Sequence, residues 1–449
     1  MNDYTDADLS DLDREITAPA EDREVPCELR TGRAGTGKTF GIIELTNLDP
    51  TYGLLTSTTG VSAVNMGAVT INSTLNYFDT VSMRDAFLTG RLSRTLHDIA
   101  KRYRRIVLDE VSMADGDQLD ILYRGVQEAN RYADVTHPLG ILLVGDFAQL
   151  PPVRAKWAFE AACWPKFAAN VTRLEKVWRQ DTGPFLDALN ATREGRGKDA
   201  AAILMAAGAT WHTQVHSEFD GTTILPKNKM VNRYNELALD RLPGMEFHVT
   251  SRRWGMQRSE WGENSRTHEW GIQPRLRLRI GAYVTIKSNA PDFSVVNGDC
   301  GYISAYVPDP EHIIVKLVRT GQEVNIHRLV RAVDIPDKPE GWTGDTISRD
   351  EDEGVYLPRP HWRARVRRFV TGQIEYFPLM PAYASTVHRS QSLTLDKVQV
   401  DLRDHFFGNP AMAYVALSRC RTLEGLRLVC SPERFAKQVA IDQKVRQWL

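Results

Sequence analysis

The residues with the clearest chemical meaning lie at positions 32–39, where the sequence GRAGTGKT matches the phosphate-binding pattern G-x-x-x-x-G-K-S/T. The glycines let the backbone wrap phosphates, Lys38 supplies positive charge to the β- and γ-phosphates, and the Thr39 hydroxyl ligates Mg²⁺. The three glycines are Gly32, Gly35 and Gly37. A helix that begins here points its positive dipole end at the anion. The segment predicts a site for a nucleoside triphosphate and Mg²⁺.

Two carboxylates about 70 residues downstream supply the second half of such a site. The apolar run at 106–108 ends in Asp109 and Glu110, as expected for a buried strand with acids at its carboxyl end. Asp109 is placed to hold Mg²⁺ through its water shell, and Glu110 to orient and deprotonate the attacking water. The alternative is an acidic pair that only caps a helix. With the phosphate loop, the pair predicts Mg²⁺-dependent triphosphate hydrolysis.

The surrounding sequence predicts the sheets that must position these groups. From residue 25 to about 167, short apolar runs alternate with helical stretches, which is typical of a parallel α/β sheet. Strands are predicted at 54–56, 106–108 and 141–144, with a second set at 171–174, 222–225, 398–400 and 426–429. Residues 246–369 are rich in Arg, Trp and Gly and alternate at 275–280, which predicts a β-rich insertion.

Composition limits the kind of protein. The chain has 449 residues, 42% of them apolar, which suffices for two to four domains with cores. No apolar run approaches the ~20 residues of a membrane span, and no targeting segment is present, so a cytoplasmic location is expected, nucleoid-associated or in the host of a phage. Five separated cysteines favour free thiols in a reducing compartment.

The net charge of −1 hides an asymmetry. Residues 1–24 hold nine acids and two arginines, a net −7, so the remaining chain carries +6. This tail lacks helix or strand periodicity and is expected to be mobile. It is either simply solvated or competes with an anionic ligand for the basic body.

Further segments resemble, in order, the motifs of superfamily 1 helicases of the B branch, the Dda/RecD/PIF type, with phage Dda-type helicases as the expected nearest relatives. The match covers about residues 28–430. The segments are 57–63 (motif Ia), 70–73 (the adjoining single-strand contact), 141–153 (motif III), 177–180 (motif IV), 384–394 (motif V) and 413–421 (motif VI). Residues 296–301 resemble the turn inside the β-barrel insertion of the same branch.

The resemblance implies a fold class and further site residues. It implies two RecA-like parallel-sheet domains with ATP in the cleft between them, a small insertion in the first and a β-rich, SH3-like insertion in the second. Gln149 would sense the γ-phosphate, and Arg179 and Arg419 would reach it from the second domain. The alternatives are a turn residue for Gln149 and salt bridges for the arginines. Because both arginines engage only a closed cleft, ATP would close it and hydrolysis open it.

The resemblance also implies a single-strand DNA track across both domains. The expected contacts are Thr58, Thr59, Asn72, Ser73, His388 and Ser390. His388 is alternatively a satisfied interior histidine. A strand-separating pin is expected in an insertion at about 77–100, with Phe78 and Phe87 as candidates.

Two further groups are ambiguous from sequence. Arg363, Arg365 and Arg367 alternate, so a strand would present them together, either to nucleic acid or to solvent. Trp254, Trp261 and Trp270 could stack on bases, although core packing is commoner.

The sequence departs from the family pattern at three places. No glutamine precedes Gln118, so the residue that reads adenine in many relatives is absent from its usual place, which predicts weak base discrimination. Asn72 stands where many relatives have histidine. Arg389 and Ser392 stand where the family often has Lys and Gly, and arginine keeps the charge with a different donor geometry.

These observations predict a domain plan and a function. The domains are a tail (1–24), a first RecA-like domain (25–170), a second (171–245 and 370–449) and an insertion domain (246–369). The expected function is an ATP- and Mg²⁺-dependent helicase that moves 5′→3′ on single-stranded DNA and unwinds tailed duplex. A monomer without membrane attachment is expected, with replication or recombination proteins as partners. The alternatives are an RNA helicase, a non-processive loading or recombination accessory protein, and a sensor that binds nucleotide without hydrolysing it.

Overall fold

The computed structural model describes residues 24–59, 62–63, 66–132, 137–254, 272–287, 295, 299–318, 320–335, 346–347, 368–391 and 393–448. Several predicted features lie outside these ranges: the acidic tail before Glu24, the alternating arginines at 363–367, Trp261 and Trp270, Ser392, and the first half of the turn at 296–301. Glu24 itself pairs with Lys166 at 3.0 Å.

The elements follow one another in α/β order at both ends of the chain, with a β-rich region between. The strands are β1 Cys27–Gly32, β2 Leu54–Ser57, β3 Val69–Thr70, β4 Arg105–Asp109, β5 Gly140–Gly145, β6 Val171–Leu174, β7 Thr210–His212, β8 Thr222–Leu225, β9 Glu246–Thr250, β10 Arg252–Trp254, β11 Arg275–Arg279, β12 Tyr283–Ile286, β13 Cys300–Pro308, β14 Glu311–Leu317, β15 Glu323–Ile326, β16 Leu329–Ile335, β17 Thr346–Ile347, β18 Arg368–Tyr376, β19 Leu379–Pro381, β20 Ala384–Thr386, β21 Val398–Asp401 and β22 Leu426–Val429. The helices are α1 Lys38–Leu48, α2 Ile71–Leu75, α3 Thr80–Leu88, α4 Arg91–Ala100, α5 Gly116–Ala129, α6 Trp164–Ala168, α7 Pro184–Arg193, α8 Gly197–Ala206, α9 Asn228–Asp240, α10 Val387–Ser390, α11 Met412–Leu417 and α12 Pro432–Gln438.

The first sheet is parallel throughout, in the order β3-β2-β4-β5-β1-β6. Strand β5 is buried along its whole length, and β4 is buried except at its first residue. Strands covered on both faces read as unbroken apolar runs, which is why the sequence predicts them well. The strands expected at 54–56, 106–108 and 141–144 are confirmed.

One predicted strand lies in a different sheet from the one expected. Residues 171–174 form a strand, but it pairs with β1 of the first sheet, with Leu29 opposite Val171, and not with the second set. The short helix α6 returns the chain to the outer edge of β1, whose hydrogen-bonding groups need a partner. The first sheet therefore continues beyond residue 170.

The insertion expected at about 77–100 consists of the helices α3 and α4, which pack against α5. Asp79 and Ser82 form a reciprocal capping box at the start of α3. Leu96 is fully buried, and Gly125 of α5 lets it approach, because a Cβ at position 125 would lie only 2.7 Å from Leu96 Cδ1. Of the two pin candidates, Phe78 is 77% exposed, whereas Phe87 packs against the core.

The second parallel sheet has the order β20-β8-β21-β22-β7. The strands expected at 222–225, 398–400 and 426–429 are confirmed. The chain leaves this sheet after β8 and α9, and returns at β20, which pairs directly with β8. The described strands between them, β9 to β19, form an insertion into the second domain.

The strands of this insertion pair in antiparallel fashion, as the alternating sequence predicts. Its largest sheet has the order β15-β14-β13-β12-β19. In β11 the leucines are buried while the arginines face outward, where Arg277 and Arg279 pair with Glu246. The region has its own core, which includes Leu278, Val284, Ile303 and Val315. The predicted fold class, two parallel RecA-like sheets and a β-rich region, is confirmed.

The end of the chain returns to the first domain. A 3₁₀ turn at Gln443–Trp448 places Trp448 against an aromatic cluster. That cluster comprises Phe147, Phe159 and Trp164. The Trp157 indole donates to Asp442 at 3.1 Å, and Lys444 pairs with Glu160 at 2.6 Å. The second domain is thus tied to the first by the chain terminus as well as by the linker before α7.

The cysteines are free, as expected, and burial raises the pKa of Cys27 to about 12, so this thiol stays protonated at neutral pH. Within the described ranges, none of the helices combines the length and the apolar character needed to cross a bilayer.

Replacing Leu96 by alanine should destabilise the first domain by about 2–5 kcal/mol, because the cavity left behind is fully enclosed. Calorimetric melting of the full chain would show an earlier transition. Leu88→Ala, at a position 73% exposed, is the control and should melt like the parent. Equal shifts for both variants would contradict this packing.

Candidate active site

The phosphate loop joins β1 to α1 and is covered by the segment expected as motif IV. Gly35 and Gly37 adopt left-handed conformations, with φ of 81° and 77°. A Cβ at Gly35 would lie 2.6 Å from the Cβ of Arg179, and the Trp178 N–H donates to the Gly35 carbonyl at 2.8 Å. Only glycine fits beneath this segment, so the loop and Arg179 are positioned by the same contact.

Lys38 lies at the start of α1 with its ammonium group turned onto the loop. It donates to the carbonyls of Gly32 at 2.7 Å and Arg33 at 2.8 Å. Burial lowers its pKa, while the charges of Asp146, Glu110 and Asp109 act in the opposite direction. A triphosphate in the loop would offer this buried ammonium stronger acceptors than two carbonyls.

Thr39 and Asp109 meet as the sequence predicts. The Thr39 hydroxyl donates to Asp109 Oδ2 at 3.0 Å, and Ser62 of motif Ia donates to the same oxygen at 2.8 Å. Burial, and next the charge of Glu110, raise the pKa of Asp109 to about 6. Hydroxyl and carboxylate oxygens are the donors that Mg²⁺ prefers, and two adjacent buried carboxyls require a cation. Thr39 and Asp109 therefore fit a magnesium site.

Glu110 follows β4 in a left-handed conformation, with φ 56° and ψ 45°, which is uncommon for a residue with a side chain and often marks a functional position. Its carbonyl accepts from the Thr58 hydroxyl at 2.9 Å. Its carboxylate accepts from Gln391 Nε2 of motif V at 3.2 Å. The proposed general base thus touches a predicted DNA-side residue of the first domain and a residue of the second. Sequence reasoning identified motif V but not the role of Gln391.

Arg179 and Arg419 face the same space. Arg419 is 1% exposed, with Nε donating to the Val415 carbonyl at 2.9 Å and Nη2 to the Ser418 hydroxyl at 2.8 Å. Arg179 Nη1 donates to the Ser418 carbonyl at 3.1 Å. Burial, and next the charge of Arg179, lower the pKa of Arg419 to about 9. No ion pair within the described residues joins either arginine to a carboxylate, and two neighbouring guanidinium groups have the chemistry that fits an anion.

A buried network missed by sequence reasoning connects motifs III and VI to the loop. Asp146, which is fully buried, accepts from Arg193 Nη2 at 2.8 Å and from the Tyr414 hydroxyl at 3.2 Å. The same hydroxyl accepts from the N–H of Ala34 in the phosphate loop at 3.0 Å. Arg193 lies in α7, outside every motif, so only the buried Asp146 hinted that a cation was needed. Gln149 is 5% exposed in the turn after β5.

The predicted DNA contacts lie at the carboxyl edges of both sheets. Thr58 and Thr59 follow β2, and Asn72 and Ser73 follow its neighbour β3, so parallel pairing brings them together. His388 is exposed on α10, after β20 of the second sheet. Ser390 is fully buried and donates to the Val387 carbonyl at 2.9 Å, an arrangement that does not favour its predicted contact with DNA.

This fold and site define a class: a P-loop protein with two RecA-like parallel-sheet domains. A family model described as an AAA domain matches residues 21–214. The chain is 29% identical over 422 residues to ATP-dependent DNA helicase Pif1 of Bdellovibrio bacteriovorus, covering 92% of this chain and 86% of that protein. The chain is therefore similar in sequence to this Pif1 helicase over most of its length.

Two further comparisons agree. The chain is 27% identical over 416 residues to human ATP-dependent DNA helicase PIF1, covering 89% of this chain but 57% of the longer human protein. The crystal structure of Pif1 helicase from Bacteroides in complex with ADP-AlF3 and single-stranded DNA matches with a TM-score of 0.63 and 22% identity, covering 98% of this chain and 94% of that one. At that identity the likeness supports the fold.

Substitution of Arg193 by methionine should leave the carboxylate of Asp146 buried without its cation and cost about 3–5 kcal/mol of stability. Burial acts to raise the pKa of Asp146, but Arg193 and Lys38 outweigh it and the pKa is lowered. The ion pair of Arg193 with Asp146 therefore stabilises the fold fully above the ordinary carboxyl pKa. That stabilisation is lost as the pH falls through the lowered pKa of Asp146. Denaturation of parent and variant should differ at pH 7 and converge in acid.

Arg196→Met is the matched control, because Arg196 pairs with Glu194 and Asp199 on the surface. Such pairs contribute about 0–1 kcal/mol. A stability loss at Arg196 as large as that at Arg193 would contradict the assignment.

Proposed function

We propose that this chain is an ATP-dependent DNA helicase that moves 5′→3′ along single-stranded DNA and unwinds duplex, driven by Mg-ATP hydrolysis between its two RecA-like domains. The observation that carries the proposal is the cleft itself. Lys38, Asp109 and Glu110 come from the first domain, and Gln391 and Arg419 reach the same space from the second. The names of the relatives, ATP-dependent DNA helicases, support it.

The charge of each residue in the cleft sets its role in hydrolysis. The loop amides and Lys38 bind the phosphates, and Thr39 and Asp109 would hold Mg²⁺, which when bound supplies positive charge to the phosphate oxygens. Glu110 accepts the proton of the attacking water. Arg179 and Arg419 neutralise charge on the γ-phosphate, a contribution of about 10³–10⁵ in rate in related systems.

Hydrolysis is coupled to movement through shared hydrogen bonds. Thr58 of the proposed DNA track is bonded to the main chain of Glu110, while Gln391, three residues after His388, is bonded to its carboxylate. Tyr414 joins the second domain to the phosphate loop and to Asp146. A change in the occupant of the cleft therefore alters contacts that lead to both halves of the track. ATP closes the cleft, and hydrolysis opens it.

The resemblance to superfamily 1 helicases also supports more specific proposals. We propose 5′→3′ movement, a Dda-type nearest relative and action as a monomer, and the missing upstream glutamine supports weak base discrimination. We likewise propose the tail and domain boundaries, replication or recombination partners, and a cytoplasmic location. Among the alternatives, an RNA helicase would use the same phosphate contacts, but no observation favours it or an accessory protein over the DNA helicase.

Lys38→Ala should abolish ATP turnover, because the buried ammonium is the cation that the loop contributes to the phosphates. Binding of labelled single-stranded DNA should persist, since Lys38 is not one of the proposed strand contacts. Lys156→Ala, which removes an exposed lysine paired with Asp117, is the control and should hydrolyse ATP normally. Undiminished turnover in Lys38→Ala would refute the phosphate-loop assignment.

Duplexes with a 5′ or a 3′ single-stranded tail test activity and direction together. With ATP and Mg²⁺, we expect strand displacement from the 5′-tailed duplex only. Displacement from the 3′-tailed duplex alone would reverse the proposed direction. ATP turnover stimulated by single-stranded DNA without displacement of either duplex would favour the accessory protein, and stimulation by RNA alone would favour the RNA helicase.

A further inference from the structure

A cavity of about 510 Å³ lies in the first domain, away from the phosphate loop. It is an open cleft bordered by the start of the helical insertion, by the segment after β4, and by residues 152–155 at and just after the end of motif III. Ligand sites are clefts or cavities of about 300–1,000 Å³. Its size is that of a binding site.

The cavity has an apolar floor and a polar wall. Its floor is made by core side chains, among them Ile71, Met83, Leu108, Leu119 and Leu122. Its wall is a chain of hydrogen bonds in which Tyr77 donates to Gln118 at 3.2 Å, Gln118 to Thr80 at 3.1 Å, and Thr80 to Asp115 at 2.6 Å. Such a combination suits a flat ring with polar edges.

Two large apolar side chains of the cavity lining are mostly exposed to solvent. Phe78 is 77% exposed, and Val153, the last residue of motif III, is 73% exposed. Next to Val153, Arg154 is held in a left-handed conformation with φ 53°. Phe78 and Arg154 both line this cavity, and an aromatic ring together with a cation in one groove is the combination with which proteins hold a base and its phosphate.

The same cavity meets the proposed DNA track. Thr58 and Asn72, two of the predicted strand contacts, line it together with Phe78. A strand held by Thr58 and Asn72 therefore passes the mouth of the cavity, with its bases within reach of the ring.

We propose that this cavity receives one nucleobase of the bound single strand, stacked on Phe78 and facing the polar wall of Gln118 and Asp115. This inference rests on the proposed function and extends it. Every base presents a π-face, so the site holds a strand of any sequence. A base seated here gives the first domain a grip with a definite register, which phosphate contacts alone do not provide.

The test compares two strands of equal charge: a 12-nucleotide dT strand and a 12-unit abasic strand with the same sugar-phosphate backbone. The parent chain should bind the dT strand more tightly. Phe78→Ala should weaken binding of the dT strand roughly 5- to 150-fold, the range expected for one aromatic–base stack, and leave the abasic strand unaffected. Phe78→Tyr should restore the dT affinity.

Leu88→Ala is the matched control, because Leu88 is an exposed apolar residue of the same insertion outside the cavity lining, and it should bind both strands like the parent. Equal losses of both strands in Phe78→Ala, or no loss, would overturn the base site while leaving the helicase proposal standing. No binding of either strand by the parent would overturn the proposed function and the base site with it.

A second measurement separates the base site from a pin. A pin acts where duplex opens, so the dT strand is replaced by one carrying 5-iodouracil, without any duplex. Irradiation should crosslink it to the peptide containing Tyr77 and Phe78, identified by mass spectrometry. Crosslinks confined to other peptides would overturn the proposal.

Discussion

The structure depends on charged groups buried in one cleft. Arg419 is withdrawn from water, donates to a carbonyl and a hydroxyl, and lies beside Arg179. Across from them lie the carboxyls of Asp109 and Glu110, the first with its pKa raised by burial. Such an arrangement is costly unless an anion and a cation complete it. These buried charges fit the proposed magnesium nucleotide, whose binding and loss would change the electrostatics of both domains that carry them.

The parallel sheets concentrate these groups because their strands end at a common edge. In the first sheet the edge collects the phosphate loop after β1, the motif Ia residues after β2 and the acids of β4. In the second, β20 delivers motif V to the corresponding edge. ATP chemistry and the proposed DNA track are therefore one or two hydrogen bonds apart, as the contacts of Thr58 and Gln391 with Glu110 demonstrate.

Contacts at two levels join the domains. Near the proposed nucleotide site, the hydroxyl of Tyr414 bridges the phosphate loop and Asp146. Arg193 neutralises the charge of Asp146. Farther away, Trp448 packs on the aromatic cluster around Phe147, one residue after Asp146. Motif III thus contacts both the Tyr414–Arg193 network and the turn near the end of the chain.

The sequence by itself predicted the phosphate loop, the acidic pair and seven strands of the two parallel sheets. Those features depend on local order: glycine spacing, apolar runs and the residue that ends a strand. Only the tertiary structure decided that residues 171–174 complete the first sheet, that Ser390 is buried, and that Phe78 stands exposed while Phe87 packs inside. It alone paired Arg193 with Asp146 and Gln391 with Glu110. The members of those pairs are 47 and 281 residues apart, and burial and long-range partners depend on how the sheets close, which no local pattern encodes.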